Sequence, residues 1–198
     1  MQLFFAVVYE FSFEGDENEL SSKKKLFNWM ISFFLISIVL VMVIIASLFS
    51  TYKVEGLSME PTLYNQERIL VSKSSKDQNY HRGDIVVING KDNEKFIKRI
   101  IGIPGDKIEV KDDILYINDI QQEERYLNNK QMDVQVEDIE FNGEIQAVVI
   151  PENKYFVMGD NRILSLDSRN GLGLIKQDHI IGESKYVFYP FSDFRKID

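Results

Sequence analysis

Two side chains of this sequence have the chemistry of a nucleophile and its base. Ser58 lies in GLSMEPTL (56–63) and Lys98 in FIKRIIGIPGD (96–106). A serine hydroxyl attacks poorly until another group takes its proton. An amine can take it only where its surroundings hold it uncharged. If 96–101 is a strand, its period of two sets Phe96, Lys98 and Ile100 on one face and Ile97, Arg99 and Ile101 on the other. An inward face would strip water from Lys98 and make it a base near neutral pH; an edge position would let it snorkel to solvent. Ser58 sits between Gly56, which permits unusual backbone angles, and Pro61, which restricts them. A serine on such a turn, with its own N–H available, suits a nucleophile that also forms half of an oxyanion hole.

Composition narrows the chemistry. The 198 residues contain no cysteine, which excludes disulfides and thiolate metal sites. His81 and His179 are the only histidines, and neither has ligand-like neighbours, so no metal partner is expected. A Ser/His/Asp triad through either of them remains an alternative to Lys98. Residues 52–198 hold 20 Lys and Arg against 26 Asp and Glu, so no nucleic-acid partner is expected.

These residues follow a hydrophobic segment. Residues 29–49 carry no charge and only three serines, Ser32, Ser37 and Ser47. A helix of that length covers roughly 30 Å, enough to cross the apolar core of a bilayer. Lys23, Lys24 and Lys25 precede it and Lys53 follows it. The excess of positive charge places the N-terminus in the cytoplasm and residues 52–198 outside, with lipid as a partner. The run exceeds the apolar core of a cleaved leader, so it reads as a retained anchor. The expected organisation is a cytoplasmic tail over 1–28, a transmembrane helix over 29–51 and an extracytoplasmic domain over 52–198. Within the tail, the acidic stretch EGDENELSS is expected to be disordered.

The outer domain reads as mainly β. Short apolar runs at 68–72, 84–89, 96–101, 107–110, 114–117, 147–150, 155–158 and 183–188 are strand candidates. Turn signals separate them, among them Asn89-Gly90, Pro104-Gly105-Asp106 and Asn142-Gly143. Asp112-Asp113 predicts a hairpin over 107–117. The expected fold is an antiparallel β-sheet or partly closed barrel. The polar stretch 121–143 reads as an insertion or flap. Tyr186, Phe188, Tyr189 and Phe191 are expected in the core, with contact to lipid as the alternative.

GLSMEPTL, RGDIVV (82–87), IKRIIGIPGD and GDNRILSLDSR (159–169) occur in that order behind one apolar segment. From about Val54 to Pro190 the chain resembles type I signal peptidases of the shorter form found in Gram-positive bacteria. The resemblance implies a serine endopeptidase that needs no cofactor and acts on the signal peptides of secretory pre-proteins. It implies Ser58 as nucleophile and Lys98 as general base, with the Ser165 hydroxyl orienting the amine. Asp160, Arg162, Asp167 and Arg169 match the family's charged scaffold, read as a structural network to which Arg99 also belongs. Tyr52, Val54, Met59, Leu63 and Ile97 match substrate pockets, although core packing would explain each equally well. Gly56 stands where some members carry a second serine, which leaves the oxyanion to the Ser58 N–H with water or the Gly56 backbone. Ile163 and Leu164 stand where many members are polar.

Two other functions compete. A catalytically idle relative would serve surface-protein or pilus assembly, though such a relative is expected to lack the serine or the lysine. A secreted binding domain would have lost its leader near Ser50.

Overall fold

The computed structural model of the chain describes residues 2–73, 78–91, 94–127 and 145–197, with backbone alone for 2–20 and Lys23. The chain divides into two compact units, Met1–Ser47 and Leu48–Asp198.

The first unit is one helix, α1 (Gln2–Leu48). The acidic stretch expected to be disordered lies within it, a correction that follows from the absence of proline and the presence of only Gly15 as a weak point. The backbone shows no break between the expected tail and span. Within Lys24–Leu48 the most apolar 18-residue window has a mean hydropathy of 3.0, and α1 is long and apolar enough there to cross a membrane. The three serines of this apolar stretch bond back to the helix: Ser32 Oγ donates to Asn28 O at 3.0 Å, Ser37 Oγ to Phe34 O and Ser47 Oγ to Ile44 O, both at 2.7 Å. No hydroxyl among them is left unpaired, as an apolar environment requires.

The second unit is built from antiparallel strands. They are β1 (Phe49–Lys53), β2 (Arg68–Lys73), β3 (Ile85–Asn89), β4 (Lys95–Gly102), β5 (Lys107–Lys111), β6 (Ile114–Ile117), β7 (Ile120–Gln121), β8 (Ile145–Val149), β9 (Lys154–Met158), β10 (Ile175–Lys176), β11 (Ile180–Tyr189) and β12 (Arg195–Lys196). The larger sheet runs β1-β2-β11-β3-β4-β9-β10, with β12 on β11; the smaller runs β7-β6-β5-β8. The antiparallel β architecture is as the sequence implies, but both sheets stay open and no barrel closes.

The hairpin over 107–117 forms as expected. Val110 pairs with Leu115 and Lys111 with Ile114, while Asp112 and Asp113 take φ of 49° and 64°, the two positive angles a tight hairpin turn needs. Asn142-Gly143 and most of the expected insertion fall outside the described residues.

Strand β3 is buried on both faces, which explains its unbroken IVVI run. On one face Ile85 and Val87 meet Ile69, Val71 and Val187 of the neighbouring strands, and the connection after β1 adds Val54, Met59 and Leu63. On the other, Val86 and Ile88 meet Ile100, Tyr155 and Val157. The β1–β2 connection thus lies across the sheet, pinned by the apolar side chains flanking Ser58. Buried Glu67 closes its far end, accepting the Tyr64 N–H at 2.9 Å and a two-pronged contact from Arg195 at 2.7 and 2.9 Å.

The C-terminal aromatics differ from expectation. Tyr186, Tyr189 and Phe191 are exposed and Phe188 is half-buried, because Val187 takes the inward position on β11. The exposed rings cover one another instead, Tyr186 against Phe194 and Tyr189 against Phe191.

Candidate active site

The pairing of β4 ends early on one side. Strand β9 pairs with it at Arg99, Ile100 and Gly102, and stops at Met158. At Lys98 the neighbouring chain has already turned away through 159–161. The residue that comes into reach there is Ser58: Asn161 N donates to Ser58 O at 3.0 Å. The end of the β4 and β9 ladder therefore brings together two residues 40 positions apart.

Lys98 Nζ lies 2.8 Å from Ser58 Oγ. As an ammonium the amine would donate to the hydroxyl; as a free amine it would accept the hydroxyl proton. Lys98 is 2% exposed, and burial lowers its pKa from 10.5 to about 8, against the opposing pull of Asp167 and Asp160 and with help from Arg169. The alternative of an edge lysine reaching solvent does not hold. Neither histidine lines the cleft at Ser58; each lies beside an aspartate of its own segment, His81 by Asp84 and His179 by Asp178.

The charged residues form three pairs. Arg99 holds Asp160 with both prongs, at 2.9 and 2.8 Å, and also donates to Gly83 O at 2.9 Å. Thr62 Oγ1, four residues after Ser58, donates to Asp160 Oδ2 at 2.5 Å. Arg169 holds Asp167 through Nε and Nη2, each at 2.8 Å, and reaches Arg162 O at 2.7 Å. Burial would raise the Asp167 carboxyl, but Arg169 and the Gly159 N–H keep it below the ordinary carboxylate range. Arg162 donates to Gly159 O at 3.0 Å and pairs with Glu124.

Glu124 was not visible in the sequence as a site residue, nor was Tyr126. The Tyr126 hydroxyl donates to Glu124 at 2.5 Å and accepts from Arg162 at 3.1 Å, while its ring lies 4.1 Å from the Arg99 guanidinium. Burial and the Glu124 charge push its phenol far up, so it stays protonated. Both residues belong to the start of the stretch read as an insertion. Its lack of hydrophobic period concealed one residue that acts through charge and one that acts through its hydroxyl and ring.

Gly159 shows how tightly the site is packed. A Cβ there would lie 2.3 Å from Ser165 Oγ and 2.4 Å from Ser58 O. Ser165 is buried beside Ser58, and its hydroxyl lies close enough to the Asp167 carboxyl to help keep that group ionised. Gly56 takes φ of +88°, suited to glycine, and its N–H donates to Asn65 Oδ1 at 3.2 Å. That N–H is therefore engaged elsewhere.

A cleft of about 270 Å³ opens at Ser58 and Lys98. Residues 52–55 wall one side and 95–97 the other. Tyr52, Val54, Met59 and Ile97 are among its walls; Leu63 is not, being fully buried in the core one helical turn beyond Met59. A larger cavity of about 770 Å³, lined by residues such as Arg82, Asp84 and Glu183, contains neither Ser58 nor Lys98.

Comparison with known proteins follows the same residues. Residues 26–189 match the family described as "Signal peptidase, peptidase S26". Signal peptidase I of Bacillus licheniformis is 44% identical over 92% of this chain and 99% of its own length. Signal peptidase I S of Bacillus subtilis (strain 168) is 47% identical over 89% of this chain and 96% of its own. A crystal structure of a signal peptidase I from Enterococcus faecalis is 33% identical, covering 54% of this chain and 97% of that one, with a TM-score of 0.48.

Proposed function

The chain belongs to the signal peptidase S26 family and is a signal peptidase I enzyme, and from that premise we propose that Ser58 and Lys98 carry out signal-peptide removal as nucleophile and general base. The observation that carries the reading is the buried amine of Lys98, 2.8 Å from the Ser58 hydroxyl.

Ser58 Oγ attacks the scissile carbonyl while its proton passes to Lys98 Nζ. The negative charge on the former carbonyl oxygen is received by the Ser58 N–H, since the Gly56 N–H is engaged by Asn65. The Lys98 ammonium then protonates the departing amine, which leaves an ester on Ser58. Water attacks that ester, giving its proton to the regenerated amine; the Lys98 ammonium returns that proton to Ser58 Oγ as the ester C–O bond breaks, and the signal peptide is released as an acid. Ser165, buried against Gly159 beside Ser58, supplies the hydroxyl that orients the Lys98 amine. The pairs of Arg99 with Asp160 and Arg169 with Asp167 hold the surrounding backbone. Their arginines also offset part of the pull that Asp167 and Asp160 exert toward the charged lysine.

The substrate binds as an extended strand. Strand β1 lies at the edge of its sheet, and β4 leaves its edge beside 95–98 off the ladder with β9. A peptide laid between 52–55 and 95–97 would bond through its backbone and place alternate side chains in shallow pockets at Tyr52, Val54, Met59 and Ile97. Shallow apolar pockets suit the small side chains that precede signal-peptide cuts. Residues 29–51 anchor the enzyme, with 1–28 cytoplasmic and the catalytic unit outside, as the lysines before the span direct.

The test is cleavage of a pre-protein by the full-length protein in detergent. Ser58→Ala and Lys98→Ala are each expected to lower the rate by at least about 1,000-fold. Retention of most activity by either variant overturns the assignment.

A further inference from the structure

We propose that Ile163 and Leu164 form an apolar ledge for the substrate residues just after the cut, and so set a preference on the mature side of the scissile bond. The proposal rests on the Ser58 and Lys98 reading above and deepens it.

The turn 159–166 is tied directly to the nucleophile. Asn161 N donates to Ser58 O, Gly159 is wedged between Ser58 O and Ser165 Oγ, and Leu164 N bonds back to Asn161 Oδ1 at 3.4 Å. None of these turn residues walls the cleft formed by 52–55 and 95–98. A strand lying in that cleft with its scissile bond at Ser58 must continue past Ser58, and this turn borders its exit.

The side chains there are unusual for such a turn. Ile163 and Leu164 are exposed, whereas Ser165 beside them is buried. Leu166 is exposed as well, but its side chain rests against Gly171, which leaves the first two as the open pair. Two adjacent apolar side chains held out to solvent by a turn tied to Ser58 gain only when another apolar group covers them. An extended polypeptide passing Ser58 delivers side chains to that place at every turnover. The occupant is therefore the leaving segment of the substrate, with apolar residues at its first two positions preferred.

The experiment uses the full-length enzyme in detergent and a set of peptides with alanine fixed at the first and third positions before the cut. The first two residues after it are Leu-Leu, Ser-Ser or Asp-Asp. The wild type should favour Leu-Leu over Asp-Asp by about tenfold in kcat/KM, the scale of one apolar contact in a specificity site. In Ile163→Asn with Leu164→Asn that ratio should fall to near one. Leu164→Lys should reverse it in favour of Asp-Asp. A ratio unchanged in both variants overturns the ledge and leaves the dyad standing. If the double variant slows all three peptides alike, and only when the enzyme sits in vesicles, the ledge faces lipid and the proposal is wrong. A wild type that cuts none of the peptides overturns the ledge and the peptidase reading together.

Discussion

Lys98 and Arg99 are adjacent on β4 and each is 2% exposed, yet the fold treats their charges in opposite ways. Arg99 is met by the Asp160 carboxylate, the Gly83 carbonyl and the Tyr126 ring. Lys98 is met by the neutral Ser58 hydroxyl. A buried cation with a full set of acceptors stays charged; one facing a hydroxyl is driven toward its free-base form. Two consecutive cationic residues thus divide into one structural group and the one proposed above as the base.

The pH dependence of the reaction follows. With a pKa of about 8, roughly a fifth of the Lys98 amines are neutral at about pH 7.4, against about one in a thousand at 10.5. The kcat/KM for a signal peptide should rise through about pH 8 and level off above it. A stopped assay across that range in the full-length enzyme checks this, and an inflection near 6 or above 10 would contradict it.

The same lowered pKa acts against stability. The unfolded chain holds the Lys98 proton up to about 10.5, the folded one only to about 8, so stability rises with pH across that window. Below about 8 the penalty is present in full, about 3 kcal/mol at most. Lys98→Met should therefore abolish activity yet raise the unfolding midpoint near neutral pH. Denaturant titration of both proteins at pH 7 and pH 10 should show the gain shrinking at the higher value.

Gly159→Ala should lower kcat/KM by about 100-fold. The added methyl cannot share space with Ser165 Oγ and Ser58 O at 2.3 and 2.4 Å, and a displaced nucleophile loses its alignment with the amine. Equal rates for the variant and the parent would mean that Ser58 has room to shift.

Glu124→Ala should destabilise the folded protein by about 3 kcal/mol, because it leaves the Arg162 guanidinium buried without its carboxylate. Glu124→Gln keeps hydrogen-bond acceptance and should lose less. Thermal unfolding of the three proteins in the same detergent measures the order.

Features carried by local period and turn chemistry were legible in the sequence. The Asp112-Asp113 hairpin and the strand at 84–89 came from local signals. The charge state of Lys98 needed one tertiary fact, that β4 is covered, and the residues around it were enough to raise the possibility. The partners of the scaffold were not legible. Arg162 meets Glu124 across 38 residues, and no spacing rule links two charges so far apart. The exposed Tyr186 and Phe191 erred the other way: ring size argued for burial, while the β11 register gave the inward place to Val187.

Strand β9 stops one rung short of Lys98, and the rung left open can be filled only by bare, stretched-out chain. A coiled segment or a finished globule has its amides already engaged and cannot dock there. On the strand-binding reading proposed above, the enzyme would sort clients by shape before any side chain is inspected. It would cut a junction that is still slack and spare chains with no loose strand to offer.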